Sequence, residues 1–285
     1  METYDKHIDF YKNLEPDLKK TEHDLWAKIE EETKHKSQIK IGWFNTLKYS
    51  FAATLLLLLG ITLVMRYYNR TVTTNKGEHI AHTLPDGSLI KLNAETSVAY
   101  HPYWWRFKRE IHFAGEGFFE VENLTGRKEA GKQFSVISSE GRTTVLGTSF
   151  NIFARNSDYL VYCETGKVNV SSTKHDIEFE ITAGEIAFID NENKEGRKKE
   201  GRKRDYLSWT DNNLSFTDVS LRKVFDEIER QYDIEIESTV SIDTLMFGAF
   251  FNKPQTPEQV LDLICIQFDL TFETIKTREY KISKK

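Results

Sequence analysis

Seventeen consecutive residues, Tyr49 to Met65, carry no charge and include the unbroken run Leu55–Leu59. At about 1.5 Å per residue they make a helix of roughly 25 Å, close to the 30 Å or so of a bilayer's hydrocarbon core. Lys48 and Arg66 stand at its ends, where long basic side chains snorkel, and Trp43, Phe44, Tyr67 and Tyr68 suit the two aromatic belts. A segment this apolar all round has no polar face to turn to water, so a membrane span is expected over 49–65. The 48 mostly polar residues before it argue against a cleaved signal peptide. Lys34, Lys36, Lys40 and Lys48 precede the span, against Arg66, Arg70 and Lys76 after it, a lean toward a cytoplasmic N-terminus.

Composition narrows what the remainder does. Hydrophobic residues reach only 39%, which excludes a polytopic transporter. Basic residues number 39 against 44 acidic, a net charge of −5 that argues against direct binding of nucleic acid. Two cysteines cannot build a disulfide scaffold or a four-cysteine zinc site.

Residues 1–48 are too few and too polar for a core of their own and read as a short helical stub. Thr21 is a candidate N-cap answered by Asp24, and Leu25, Trp26 and Ile29 then fall on one face. Ile8, Tyr11, Leu14 and Leu18 form a second stripe at helical spacing. Such stripes lie along a membrane or are completed by a partner.

Residues 76–190 read as an all-β domain of about a dozen short strands, a sandwich or a β-solenoid. Apolar residues alternate in Ile111/Phe113, Phe119/Val121, Phe134/Val136, Val168/Val170 and Ile177/Phe179/Ile181. Turn signals recur at Asp86-Gly87, Gly115, Gly126, Glu140-Gly141, Thr165-Gly166 and Ala183-Gly184. Catalytic chemistry is thin. His79 and His82, three apart on a strand, face opposite sides and do not make a metal pair. Gly115-Glu116-Gly117 is followed by a strand, so it reads as a turn rather than a phosphate loop. Glu116 and Glu120 read as surface or edge carboxylates, and Cys163 as a small core residue. No enzyme, cofactor or metal is expected. Residues 191–205, with seven basic residues between Lys194 and Arg204, read as a charged linker.

Residues 206–285 change period. Leu221, Val224, Phe225, Ile228 and Tyr232 mark one helix; Val260, Leu261, Ile264 and Phe268 mark another, opened by Thr256, Pro257 and Gln259 as a capping box. A shift of 36 positions superimposes them, matching Val224 with Val260, Asp226 with Asp262, Ile228 with Ile264, Gln231 with Gln267 and Asp233 with Asp269. With strands on either side, this reads as a duplicated βαβ domain of the α+β class, its two helices on one face of a small sheet.

This order of parts resembles the FecR family of transmembrane anti-sigma regulators, particularly the Bacteroidetes type. The resemblance rests on Thr83-Leu84-Pro85-Asp86-Gly87-Ser88, Leu92-Asn93-Ala94, Arg109-Glu110-Ile111, Gly115–Val121, Val145–Ile152, Glu164–Val168 and Ala183-Gly184-Glu185. Leu214 to Tyr232 is similar to the C-terminal domain of these regulators, itself like the short N-terminal domain of secretins and TonB-dependent receptors. The family implies a single-pass protein of the bacterial inner membrane, with a cytoplasmic N-terminus that holds an extracytoplasmic-function sigma factor. It implies periplasmic C-terminal domains that hear the signalling domain of a TonB-dependent outer-membrane receptor. Leu25, Trp26 and Ile29 are then the expected sigma-factor contact, and residues 206–285 the signal-receiving domain. Some family members break their own chain at a Gly-Thr bond, here Gly147–Thr148; a plain turn between two strands is the other reading. A different class, a membrane-anchored structural or glycan-binding envelope protein, would use Tyr103, Trp104 and Trp105 as a sugar platform.

Overall fold

The computed structural model describes residues 22–124, 133–252 and 256–285. The Thr21 cap, the stripe Ile8/Tyr11/Leu14/Leu18 and the Gly126 turn lie outside the described residues. The chain divides into two compact units, with the boundary between Val64 and Met65.

Helix α1 runs Glu22–Tyr67 without a break, so the expected stub and span share one helix. Within it Leu47–Tyr67 has a mean hydropathy of 1.9 over its most apolar stretch and none of that stretch is buried by protein. Those 21 residues span roughly 32 Å. The helix is therefore long and apolar enough to cross a bilayer. Its two central hydroxyls are paid off locally: Thr54 Oγ1 donates to Ser50 O at 2.9 Å and Thr62 Oγ1 to Leu58 O at 2.7 Å. Neither presents an unpaired donor to hydrocarbon.

The second unit opens with thirteen strands: β1 (Arg70–Thr73), β2 (Ile80–Thr83), β3 (Leu89–Leu92), β4 (Ser97–Tyr100), β5 (Arg109–Glu120), β6 (Phe134–Ile137), β7 (Gly141–Val145), β8 (Ser149–Arg155), β9 (Asp158–Thr165), β10 (Lys167–Ser172), β11 (Glu178–Thr182), β12 (Glu185–Asp190) and β13 (Glu195–Glu200). One sheet runs β1-β4-β5-β6-β7-β10-β11, the other β2-β3-β5-β8-β9-β12-β13. Pairing is antiparallel throughout except for β5 with β6, which rules for a sandwich-like body over a solenoid of stacked parallel strands. Strand β5 belongs to both sheets. Its residues 111–114 pair with β4 and its residues 115–120 with β8. The change of sheet falls at Gly115, where φ is +116° and a Cβ would lie 2.7 Å from Thr96 Cα. Only glycine fits that corner.

Between the sheets lie Ile111, Phe113, Phe119, Phe134, Phe150, Ile152, Tyr159 and Val161, all buried. Phe119 stacks on Phe150 at 5.1 Å and meets Phe113 edge-on at 5.4 Å. The buried Tyr159 hydroxyl shares a 2.8 Å hydrogen bond with Thr143 Oγ1, so neither polar atom is stranded.

Residues 191–205 are not a free linker. Strand β13 pairs with β12 from Glu185↔Glu200 to Asp190↔Glu195, and all six of its residues are exposed. Charge on an outermost strand discourages further pairing, which is why its sequence reads as loop. Helix α2 (Lys203–Leu207) and a 3₁₀ turn (Ser208–Asp211) follow. Leu207 and Trp209 pack with Phe118, Tyr162 and Ile186 on the outer face of the second sheet. A boundary at 205/206 would cut through this cover.

The C-terminal region holds β14 (Leu214–Ser220), α3 (Leu221–Tyr232), β15 (Glu235–Ser238), β16 (Met246–Phe251), α4 (Pro257–Gln267), β17 (Leu270–Lys276) and β18 (Glu279–Lys284). The helix starts lie 36 positions apart, each capped by a hydroxyl: Ser220 accepts from Lys223 N and Thr256 from Gln259 N. Past the helices, Asp233 and Asp269, also 36 apart, both take a left-handed conformation. The strands do not form the single sheet expected. β14 pairs with β16, while β15, β18 and β17 make a separate sheet. Each strand-helix-strand run thus steps from one sheet to the other, and both helices bury their apolar faces in a shared core around Val224, Phe225, Ile228, Val260, Leu261 and Ile264.

Candidate functional site

Three of the sequence signatures meet where the sandwich joins the C-terminal helix α3. Immediately past the Gly115 corner, Glu116 accepts hydrogen bonds from Asn93 Nδ2 at 2.8 Å and Asn151 Nδ2 at 3.0 Å. Asn151 Oδ1 accepts from Trp209 Nε1 at 3.2 Å, and Asn93 Oδ1 from Gln231 Nε2 at 2.7 Å. Gln231, on α3, also donates to Glu227 Oε1 at 2.8 Å and lies 3.0 Å from His79 Nε2 through its own carbonyl. Glu227 is paired with Arg230 at 3.0 Å, and the backbone bond Gly77 N to Arg230 O adds a main-chain tie of 2.8 Å. Lys223 reaches Asp158 at 2.9 Å on the outer side.

The electrostatics of this junction are set by burial. Loss of water, reinforced by the Glu227 carboxylate, pushes Glu116 up to about 7, although Asn151, Arg155 and Asn93 pull it down. Desolvation outweighs two amide donors and a nearby guanidinium. The Arg155 guanidinium is itself held below its ordinary value, by burial first and by Arg230 second. Its Nη atoms bond the carbonyls of Ala94 at 2.6 Å and Glu95 at 3.0 Å. A cavity of about 300 Å³ adjoins the network, and its lining includes Glu116, Glu227 and Arg230 together with Phe153, Tyr206 and Phe216.

Two further motifs converge on a different point. Arg109, at the start of β5, forms a buried ion pair with Asp86, their side chains 2% and 5% exposed. Arg109 Nε donates to Asp86 Oδ2 at 2.7 Å and an Nη to Glu122 O at 3.0 Å, while Ser88 Oγ donates to Asp86 Oδ2 at 2.9 Å. The Asp86-Gly87-Ser88 turn and Arg109 are thus one structural element.

The residues singled out by sequence fall in separate places. Leu25, Trp26 and Ile29 are exposed on α1, at 60%, 67% and 49%. Gly147 and Thr148 lie in the turn between β7 and β8. A Cβ on Gly147 would stand 2.7 Å from Asn123 Cα, so the turn needs glycine for close approach. Thr148 is buried, and its Oγ1 has no hydrogen-bond partner. His79 and His82 face Gln231 and Tyr100, and among the described residues no cluster of His, Cys, Asp or Glu is placed to hold a metal. Of the three aromatics of the expected sugar platform, Trp105 is 3% exposed and packs edge-on against Tyr100 and Phe134, leaving Tyr103 and the half-buried Trp104 outward. Glu116 is half-buried rather than on the surface, and the two amides that bond it, Asn93 and Asn151, are held in turn by Gln231 and Trp209, far downstream in sequence.

Comparison with known proteins follows these divisions. The FecR protein family matches residues 70–169, the first nine strands and the start of the tenth. The FecR C-terminal family matches residues 213–282, the region of α3 and α4. Two crystal structures described as candidate anti-sigma factors from Parabacteroides distasonis are similar to this chain. One, at 2.50 Å, is 26% identical with a TM-score of 0.69, covering 76% of this chain and 100% of its own. The other, at 1.65 Å, is 27% identical with a TM-score of 0.68, covering 76% and 99%. No curated protein matches the chain. With the FecR family model matching residues 70–169 and the FecR C-terminal model matching residues 213–282, the chain belongs to the FecR family.

Proposed function

We propose that this chain is a single-pass regulator of the inner membrane that controls an extracytoplasmic-function sigma factor in response to a TonB-dependent outer-membrane transporter. The observation that carries the reading is the order of parts: an exposed Leu25/Trp26/Ile29 stripe, a 21-residue apolar helical stretch, then FecR and FecR C-terminal regions. The solved relatives described as candidate anti-sigma factors support the choice of partner. In this reading the stripe is cytoplasmic, the sandwich and C-terminal region are periplasmic, and the chain works by binding rather than turnover. Burying Trp26 and two aliphatics in a sigma-factor groove would contribute roughly 1.5–3 kcal/mol for each large side chain. Detergent-solubilised protein from its own cells should co-purify an extracytoplasmic-function sigma factor, and Trp26→Ala should weaken recovery at least about tenfold, the equivalent of roughly 1.4 kcal/mol. Intact protein that brings no sigma factor with it overturns the reading; unchanged recovery with Trp26→Ala removes the stripe from it.

A second reading concerns Gly147–Thr148, and the unpartnered Thr148 Oγ1 favours it. The hydroxyl oxygen attacks the Gly147 carbonyl carbon, the amide bond breaks, and an ester forms as the Thr148 amine is released and takes a proton. Water then opens the ester to give pieces of 147 and 138 residues. Immunoblots for both termini should show two fragments that Thr148→Ala abolishes. A single full-length band leaves the turn a structural role only.

A further inference from the structure

We propose that the turn 101–108, joined to Arg66–Tyr68, is an interfacial anchor that beds in the phospholipid headgroup layer where α1 leaves the bilayer. The inference rests on the reading of α1 as a membrane span. The apolar stretch ends at Tyr67, and the turn is tied to the next residue. His101 Nδ1 lies 3.0 Å from Tyr68 O, and the Tyr68 and Tyr103 rings are 5.5 Å apart. The Arg66 guanidinium sits over the Trp104 ring at 5.0 Å and the Tyr67 ring at 5.6 Å, and Trp104 packs on Phe107 at 4.7 Å.

The turn is held from behind. Buried Trp105 plugs it into the sandwich core, while Trp104 N to His101 O and Phe107 N to Trp104 O, at 3.2 and 3.0 Å, fix its backbone. With Trp105 facing in, the other rings face out: Tyr67, Tyr68, Tyr103 and Phe107 are each about half exposed or more. Burial within the protein does not explain four exposed rings beside one another. Their chemistry matches the bilayer interface, where amphipathic tyrosine and tryptophan rings settle at headgroup depth and phenylalanine reaches the acyl boundary. The charge matches as well. Residues 66–70 and 101–108 contain Arg66, Arg70, Arg106 and Lys108 and no carboxylate of their own. Lys108 pairs with Glu110 at 2.8 Å, which leaves three arginines as the net charge of the patch, in a chain that is net acidic. Such a patch is drawn to anionic lipid.

The test uses the full chain reconstituted in vesicles of phosphatidylethanolamine and phosphatidylglycerol. Cys163 and Cys265 are buried, so an environment-sensitive thiol probe reaches an introduced cysteine selectively. Phe107→Cys and, separately, Leu56→Cys carry the probe. The expected result is a blue-shifted emission at position 107 that loses intensity with nitroxide lipids labelled near the headgroup, while position 56 is quenched by nitroxides deep in the acyl chains. Water-like emission at 107 with deep quenching at 56 overturns the anchor and leaves the span intact; the exposed rings then belong to a protein partner. No quenching at 56 overturns the span and the anchor together.

Discussion

At the scale of single residues, the Asp86–Arg109 pair shows what a family signature is for when it is not a site. Both charges are nearly out of water, and the guanidinium also lies over the Phe134 ring at 5.4 Å. Removing one partner strands the other charge, which in comparable buried pairs costs about 3–5 kcal/mol. Asp86→Ala is therefore expected to destabilise the sandwich by about that amount in urea unfolding followed by tryptophan fluorescence. Replacing both residues with leucine and methionine should cost clearly less than the single change, since no charge is left unpaired. If Asp86→Ala stays within about 1 kcal/mol of the parent, the pair is not the constraint described here. The sequence reveals the motif without its meaning, because Asp86 and Arg109 stand 23 positions apart and only the fold makes them neighbours.

Elements meet at the junction of β5 with α3, where the decisive group is Glu116. Its folded-state value of about 7 lies above the ordinary carboxylate range near 4.5, with burial as the main cause and Glu227 as the second. The charged groups acting on it are Glu227 from α3, itself paired with Arg230, and Arg155 from β8. A raised carboxylate favours the protonated form in the fold. Its contribution is full below about pH 4.5 and is lost as pH rises through about 7, up to about 3 kcal/mol in all. The urea midpoint should fall between about pH 4.5 and pH 7, and Glu116→Gln should flatten that slope while changing the midpoint itself, because an amide cannot accept from both Asn93 and Asn151 in the same way. A slope that survives in Glu116→Gln assigns the titration to another group. Periodicity identifies β5 and α3 individually, and the identical residues 36 positions apart make the repeat readable. The junction escapes such reading, since Gly115-Glu116-Gly117 has the local look of a turn and Gln231, which reaches it through Asn93, is 115 positions away. Strand β13 escapes for the opposite reason: wholly exposed and charged, it lacks the alternation by which strands are recognised.

Over the whole molecule, the working unit after the membrane helix is larger than either matched family region. Residues 203–211 close the outer face of the second sheet before the C-terminal region begins, and Asn93, Glu227 and Gln231 then couple that region to the sandwich. This arrangement separates two truncations that composition alone would treat as equivalent. Ending the chain at Asp205 removes Leu207 and Trp209 and uncovers Phe118, Tyr162 and Ile186, a loss of roughly 1.5–3 kcal/mol for each large side chain no longer buried. That variant is expected to lose sandwich stability as well as signalling. Ending it at Asn213 keeps the cover and removes only the region that the FecR C-terminal family matches. Under the proposed function, this second variant should unfold at nearly the parental urea concentration in its sandwich and remain in the membrane fraction, yet fail to alter sigma-dependent transcription when the transporter's nutrient is supplied. Measuring stability, membrane recovery and target-gene expression on both variants distinguishes a damaged receiver from a deleted one. A normal transcriptional response from the chain ending at Asn213 would move signal reception out of the C-terminal region and into the sandwich.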